Sequence, residues 1–193
     1  ATRGFATGGY QARSHGTAVA QLAAMQGANL AVADVFGVDR RNQLVAPAEL
    51  IAAAMDWMLQ QRVRVVNISI EGPYNAVLEF VVQDAMARGM VIVAAAGNGG
   101  PAAAPAYPAA YAGVIAVTAL DERGQIYRRA ARGTHLQFAA RGSYGVRQQL
   151  IETKVALAGT SFASPVVGAV IARRWRDRPE ATRESILNAV RAE

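Results

Sequence analysis

Apolar and polar positions in this chain come in short alternating blocks. Residues 14–25 open with Ser14, a side chain suited to accept from the free N–H groups of a helix start, continue through Ala-rich helix formers and stop at Gly27. A helix opened by His15 is predicted there. Residues 28–36 are apolar with no breaker before Gly37 and suit a strand, and the polar stretch 39–43 reads as a surface loop. Pro47, at a first-turn position, starts a second helix that places Leu50, Ile51, Ala54, Met55, Met58 and Leu59 on one face.

Residues 63–70 are rich in β-branched side chains and end at Glu71-Gly72-Pro73, which predicts a strand running into a turn. Asn75 caps a helix over 76–88, stopped by Gly89. Residues 90–96 form a wholly apolar strand ending in Gly97-Asn98-Gly99-Gly100-Pro101, and 113–119 form another. Strands that are apolar on both faces and alternate with helices imply a parallel sheet covered on each side. The expected fold class is therefore α/β, a doubly wound, mostly parallel sheet with helices on both faces.

After Leu120 the chain turns polar and glycine-punctuated, at Gly124, Gly133, Gly142 and Gly145, and reads as hairpins or loops. Order returns at Gly159. Residues 160–165 lead into an apolar helix over 166–175, and Pro179 starts a last amphipathic helix to 192. The Ala/Pro-rich stretch 101–108 is the one compositionally biased segment, and there is no internal repeat.

A chain of 193 residues, 52% of them hydrophobic, can bury one substantial core, so residues 1–193 are expected to form one domain. Its apolar runs fall far short of the ~20 residues of a membrane-spanning helix, and no membrane partner is expected. The net charge of +6 comes almost wholly from Arg, Lys154 being the single Lys. These charges are dispersed and aromatics are only 7% of residues, which argues against a nucleic-acid surface. Without Cys there is no disulfide framework, and two distant histidines build no legible metal site.

In open α/β sheets, functional groups gather where strands end and helices begin, because a helix start offers free N–H groups and a positive end. Three residues occupy such junctions: His15, Asn98 and Ser161. A serine hydroxyl needs a neighbouring imidazole to take its proton, and a developing oxyanion needs a donor aimed at it. Ser161 would attack, His15 would act as general base and then general acid, and the Asn98 amide would serve the oxyanion with the Ser161 backbone N–H. Gly97 would let the backbone turn so that Asn98 faces the site. Taken singly, each of the three also suits a plain cap or turn role. His135, in a polar segment, reads as structural or surface.

Their flanks join them. Residues 14–20 (SHGTAVA) resemble the histidine motif of the subtilisin-like serine proteases (subtilases, peptidase S8), residues 95–98 (AAGN) their oxyanion motif, and residues 159–165 (GTSFASP) their nucleophile motif, in the family's order. Residues 66–70 resemble the strand that pairs with substrate. The resemblance covers nearly the whole chain and implies endopeptidase activity through an acyl-enzyme. It places a polypeptide substrate along Ser69, Ile70, Glu71 and Gly72 on one side and Ala95, Ala96 and Gly97 on the other. Glu71 departs from the small residue expected beside the substrate strand, so its carboxylate would either crowd that edge or favour basic side chains. No cofactor is required, although the family often binds calcium. A secreted or periplasmic enzyme is implied.

The family's triad runs Asp, His, Ser. None of the 14 residues before His15 is acidic. Asp34 follows the histidine helix within a strand and Asp39 belongs to a loop, so neither suits the role. The expectation is an N-terminally truncated peptidase domain whose triad Asp and early strand lie outside this chain, and whose isolated activity is weak. The alternative is a catalytically inactive subtilisin-like domain used for binding. An esterase is disfavoured, since residues 159–163 lack the second Gly of G-x-S-x-G and His15 precedes the Ser.

Overall fold

The computed structural model describes residues 1–145 and 156–192. Lys154 and the part of the polar segment at 146–155 lie outside the described residues. Four parallel strands form the central sheet in the order β5 (Val65–Ile68), β6 (Val91–Ala95), β7 (Ile115–Leu120) and β8 (Leu136–Arg141). Two short parallel strands, β1 (Thr2–Gly4) and β2 (Val32–Asp34), pair with each other and not with β5. Among the described residues two antiparallel pairs complete the strands: β3 (Gly37–Val38) with β4 (Leu44–Val45), and β9 (Ser143–Tyr144) with β10 (Leu157–Ala158).

Side-chain alternation divides the core in two. From β6, Ile92 and Ala94 point into one cluster with Val66, Ile68 and Ala116, covered by α2 (Ala48–Gln60) and α3 (Ala76–Ala87). Val91 and Val93 point the opposite way, with Ile115 and Val117, under α4 (Thr160–Asp177) and α5 (Arg183–Arg191). Every residue of β6 is buried. At ~1.5–3 kcal/mol for each fully buried branched side chain, the two-faced strand is what holds both helical layers. The doubly wound α/β arrangement is observed.

A third cluster docks α1 (Ser14–Met25) on the start of α4, through Ala18, Leu22 and Phe162. α4 lies close over the sheet at Gly168, where an added Cβ would come into ordinary van der Waals contact with Asn67, 3.6 Å from its Cβ.

Several expected boundaries moved. Strand 28–36 shrinks to Val32–Asp34, and Ser14 is the first helical residue, with Arg13 at the N-cap position making no side-chain capping bond. Asn75 does cap α3, accepting from Leu78 N–H at 2.9 Å. The polar segment after Leu120 contains a fourth parallel strand, β8, with half-buried and exposed residues in strict alternation. It is the edge strand of the sheet, so one face suffices for burial and its apolar signal is halved. The last long helix starts at Thr160, six residues earlier than the sequence suggested, so the nucleophile motif apart from Gly159, its N-cap, lies within it.

Candidate active site

His15, Asn98 and Ser161 come together at the C-terminal end of the central sheet. His15 sits in the first turn of α1, Asn98 in the turn after β6, and Ser161 in the first turn of α4. One oxygen organises the first and last of these. The carbonyl of Ser69, the residue after β5, lies 3.4 Å from His15 Nε2 and accepts from Ser161 Oγ at 3.3 Å. The hydroxyl therefore rests on Ser69 and makes no bond to the imidazole. The His15 ring also leans on Phe162, with centroids 5.3 Å apart.

The Asn98 amide is oriented by its oxygen. Thr160 N–H donates to Asn98 Oδ1 at 3.0 Å, and Gly97 N–H donates to Thr160 Oγ1 at 3.1 Å, lacing the β6 turn to the start of α4. With Oδ1 engaged, Nδ2 keeps both N–H groups for another acceptor. Ser161 N–H, a first-turn donor, makes no bond among the described residues, so it and the Asn98 amide offer two donors near the hydroxyl. Gly97 holds φ +108°, a left-handed conformation that favours glycine.

A half-buried polar network lies behind the serine. Asn67 Nδ2 donates to Ser69 Oγ at 2.8 Å, and Ser69 Oγ donates to the Ser161 carbonyl at 2.9 Å and stands 3.1 Å from Ser164 Oγ. Pro165 makes this possible. A proline in a helix has no N–H for the carbonyl four residues back, which here is that of Ser161, so the Ser69 hydroxyl takes the place of the missing donor.

Beyond Asn98 a cavity of about 230 Å³ opens, lined by Glu71, Gly72, Ala96 and Gly97 among the residues expected along the substrate. Of the others expected there, Ile70 packs partly buried against the first core cluster, Ser69 serves the network just described, and Ala95 is a buried strand residue; none of these three lines the cavity. Sequence reasoning missed Gly99 and the alanines at 103, 104, 106 and 131, which complete the wall. For the alanines at 103, 104 and 106 the signal was the Ala/Pro-rich stretch, whose small side chains leave room. Gly72 and Tyr107 exchange two backbone hydrogen bonds at 3.0 Å, tying the substrate-side segment to this wall. Thr160, which fixes Asn98, was likewise not singled out.

No carboxylate bonds His15 among the described residues. Asp34 accepts from Arg13 Nη1 at 2.6 Å, from Gln11 N–H at 3.0 Å and from Phe36 N–H at 3.2 Å. Asp39 accepts from Arg41 and Gln43 N–H groups in the β3–β4 turn. Among the described residues no group of three or more His, Cys, Asp or Glu could hold a metal ion.

Known proteins with the same pattern supply the class. Residues 6–192 match the model of the subtilase family of S8 peptidases, and the chain belongs to that family. It is thus a member of a serine-protease family. It is 32% identical to Subtilisin BL of Lederbergia lenta over 162 residues, 83% of this chain and 58% of that protein. It is 30% identical to the Minor extracellular protease Epr of Bacillus subtilis (strain 168) over 138 residues, 71% of this chain and 21% of that one. Subtilisin DY of Bacillus licheniformis is 33% identical over 142 residues, covering 52% of its length. The chain thus spans about a fifth to three-fifths of these relatives. In fold it matches the structure titled S41 Psychrophilic Protease with a TM-score of 0.76, at 22% identity, over 97% of this chain and 73% of that one.

Proposed function

We propose that this chain carries the nucleophile, base and oxyanion donors of a serine endopeptidase that works outside the cytosol, on polypeptide substrates. The observation that carries the reading is the single Ser69 carbonyl within reach of both His15 Nε2 and Ser161 Oγ, beside an Asn98 amide whose oxygen is already engaged. Ser161 Oγ bonds to the scissile carbonyl carbon as its proton passes to His15 Nε2. Asn98 Nδ2 and the Ser161 N–H donate to the oxyanion. The proton then moves from His15 to the departing amine, and water repeats the sequence to release the acyl group. To attack, Ser161 Oγ must turn from Ser69 toward the imidazole; catalytic hydrogen bonds commonly tighten only when substrate is bound.

The third triad member is proposed to be an Asp outside this chain. With its proton on Nε2, the exposed imidazole donates to Ser69 and cannot act as base; a carboxylate at Nδ1 would hold the proton there and free Nε2. The separation of β1–β2 from β5 fits a further strand between them that would bring this Asp. A fluorophosphonate test decides. Ser161 should be labelled, slowly in the 193-residue chain and about 10⁴-fold faster in a longer natural chain containing the preceding strand, the factor known for loss of the triad carboxylate in subtilisin. Equal rates in both would remove the external Asp.

The competing reading is a catalytically inactive subtilisin-like domain used for binding, favoured by the rest position of Ser161 on Ser69 and by the lack, among the described residues, of a carboxylate on His15. Failure of both chains to label at Ser161 would select it.

A further inference from the structure

The cavity beside Asn98 has a wall chemistry that the proposed reaction does not use. Apart from Glu71, its lining is glycine and alanine, so one carboxylate is the sole ionisable group on an otherwise small and neutral surface. Glu71 Oε2 accepts from Asn98 N–H at 2.9 Å, and the carboxylate lies so close over Gly97 that a Cβ there would stand 2.7 Å from Oε2. The carboxylate of Glu71, an exposed residue, is therefore anchored at the cavity wall by one hydrogen bond, to the backbone of the residue whose amide is proposed to meet the oxyanion.

We infer that Glu71 makes this cavity a receptor for a cationic side chain, so that peptides are cut after arginine or lysine. The inference rests on the reading of Ser161 as nucleophile. With a scissile carbonyl between Ser161 and Asn98, that reading sets the side chain on its acyl side against the wall that holds Gly97 and Gly99.

Steric crowding by Glu71 is the lesser effect. The cavity of about 230 Å³ is what remains with the glutamate in place, room for several waters at ~30 Å³ each and hence for a long side chain. Charge decides instead. An apolar side chain filling the space strips water from a carboxylate and returns nothing, whereas a guanidinium or ammonium replaces that water with a charge-assisted hydrogen bond. Only one Glu71 oxygen is engaged, and no cation pairs with it among the described residues. The chain's net charge of +6 disfavours cations at long range, but that field is screened beyond ~8 Å at physiological salt, and the contact inside the cavity prevails.

The test separates this inference from the nucleophile reading. Benzamidine and its neutral analogue benzamide are titrated against the chain and against Glu71→Gln, which keeps an oxygen for Asn98 N–H and removes only the charge. In parallel, diphenyl phosphonates that differ only in carrying an arginine-like or a leucine side chain are tested for labelling of Ser161. Benzamidine is expected to bind roughly tenfold more tightly than benzamide, with the difference lost in E71Q, and the arginine-like phosphonate to label roughly tenfold faster. Labelling at equal rates by both phosphonates, with no preference for benzamidine, overturns the inference while the nucleophile stands. A charge preference that E71Q abolishes, with no labelling by either phosphonate in this chain or in the longer one, sinks the nucleophile reading and keeps the cationic cavity.

Discussion

The Ser69 hydroxyl donates to the carbonyl oxygen of Ser161 at 2.9 Å, filling the place left by the N–H that Pro165 lacks. A strand end and a helix start are thereby joined directly behind the proposed nucleophile. Ser69→Ala should destabilise the fold by about 1–3 kcal/mol, because it leaves both the Ser161 carbonyl and the Asn67 amide without a partner. Pro165→Ala restores the helical N–H, so the double variant should recover part of that loss. Denaturant titration of the four proteins in a double-mutant cycle checks this, and additive losses would show that Pro165 does not govern the contact.

Asn98→Asp separates position from donation. Its carboxylate can still accept from Thr160 N–H, so the melting temperature should stay near that of the parent, while both amide N–H groups are lost. In the longer chain proposed to carry the triad Asp, kcat should fall by about 10²–10³-fold, the range known for removing one such side-chain donor in subtilisin. A change of less than about threefold would take Asn98 out of the oxyanion role.

Gly159 precedes α4 with φ +150°, and a Cβ there would meet Asn98 Oδ1 at 3.0 Å. Gly159→Ala should cost about 1–3 kcal/mol in backbone strain and push the Asn98 amide out of place. Fluorophosphonate labelling of the protein that remains folded should slow. If labelling persists unchanged at the reduced stability, the glycine matters to the fold alone.

Asp34 has the opposite character, a buried carboxylate joined to Arg13, Gln11 and Phe36 and not to His15. Asp34→Ala should lower stability by about 1–3 kcal/mol, since it leaves donors near the β1–β2 pair unmatched. The labelling rate of Ser161 per folded molecule should not change. A collapse of that rate at full folding would instead make Asp34 part of the proton relay.

Local sequence carried a great deal here. The stretches 90–96 and 113–119 could only be buried strands, because their apolar side chains occupy both faces, and Asn75 could be read as a cap because its side chain acts on the N–H three residues ahead. The three motifs likewise picked out His15, Asn98 and Ser161 for their chemistry. Edge strand β8 escaped, since a strand buried on one face has half the apolar signal, and the early start of α4 was hidden by a proline that reads locally as a helix opening.

Tertiary structure decided the rest, for a common reason: the partners are far apart in the chain. Which atom the Ser161 hydroxyl rests on depends on a residue 92 positions away, and the Asn98 amide is turned by Thr160 at a separation of 62. The cavity wall combines a turn after one strand with alanines after another, and only their meeting leaves Glu71 as the single charge among small neutral side chains. Residue type and spacing set which groups could react; packing of α1 and α4 against the sheet set where those groups stand.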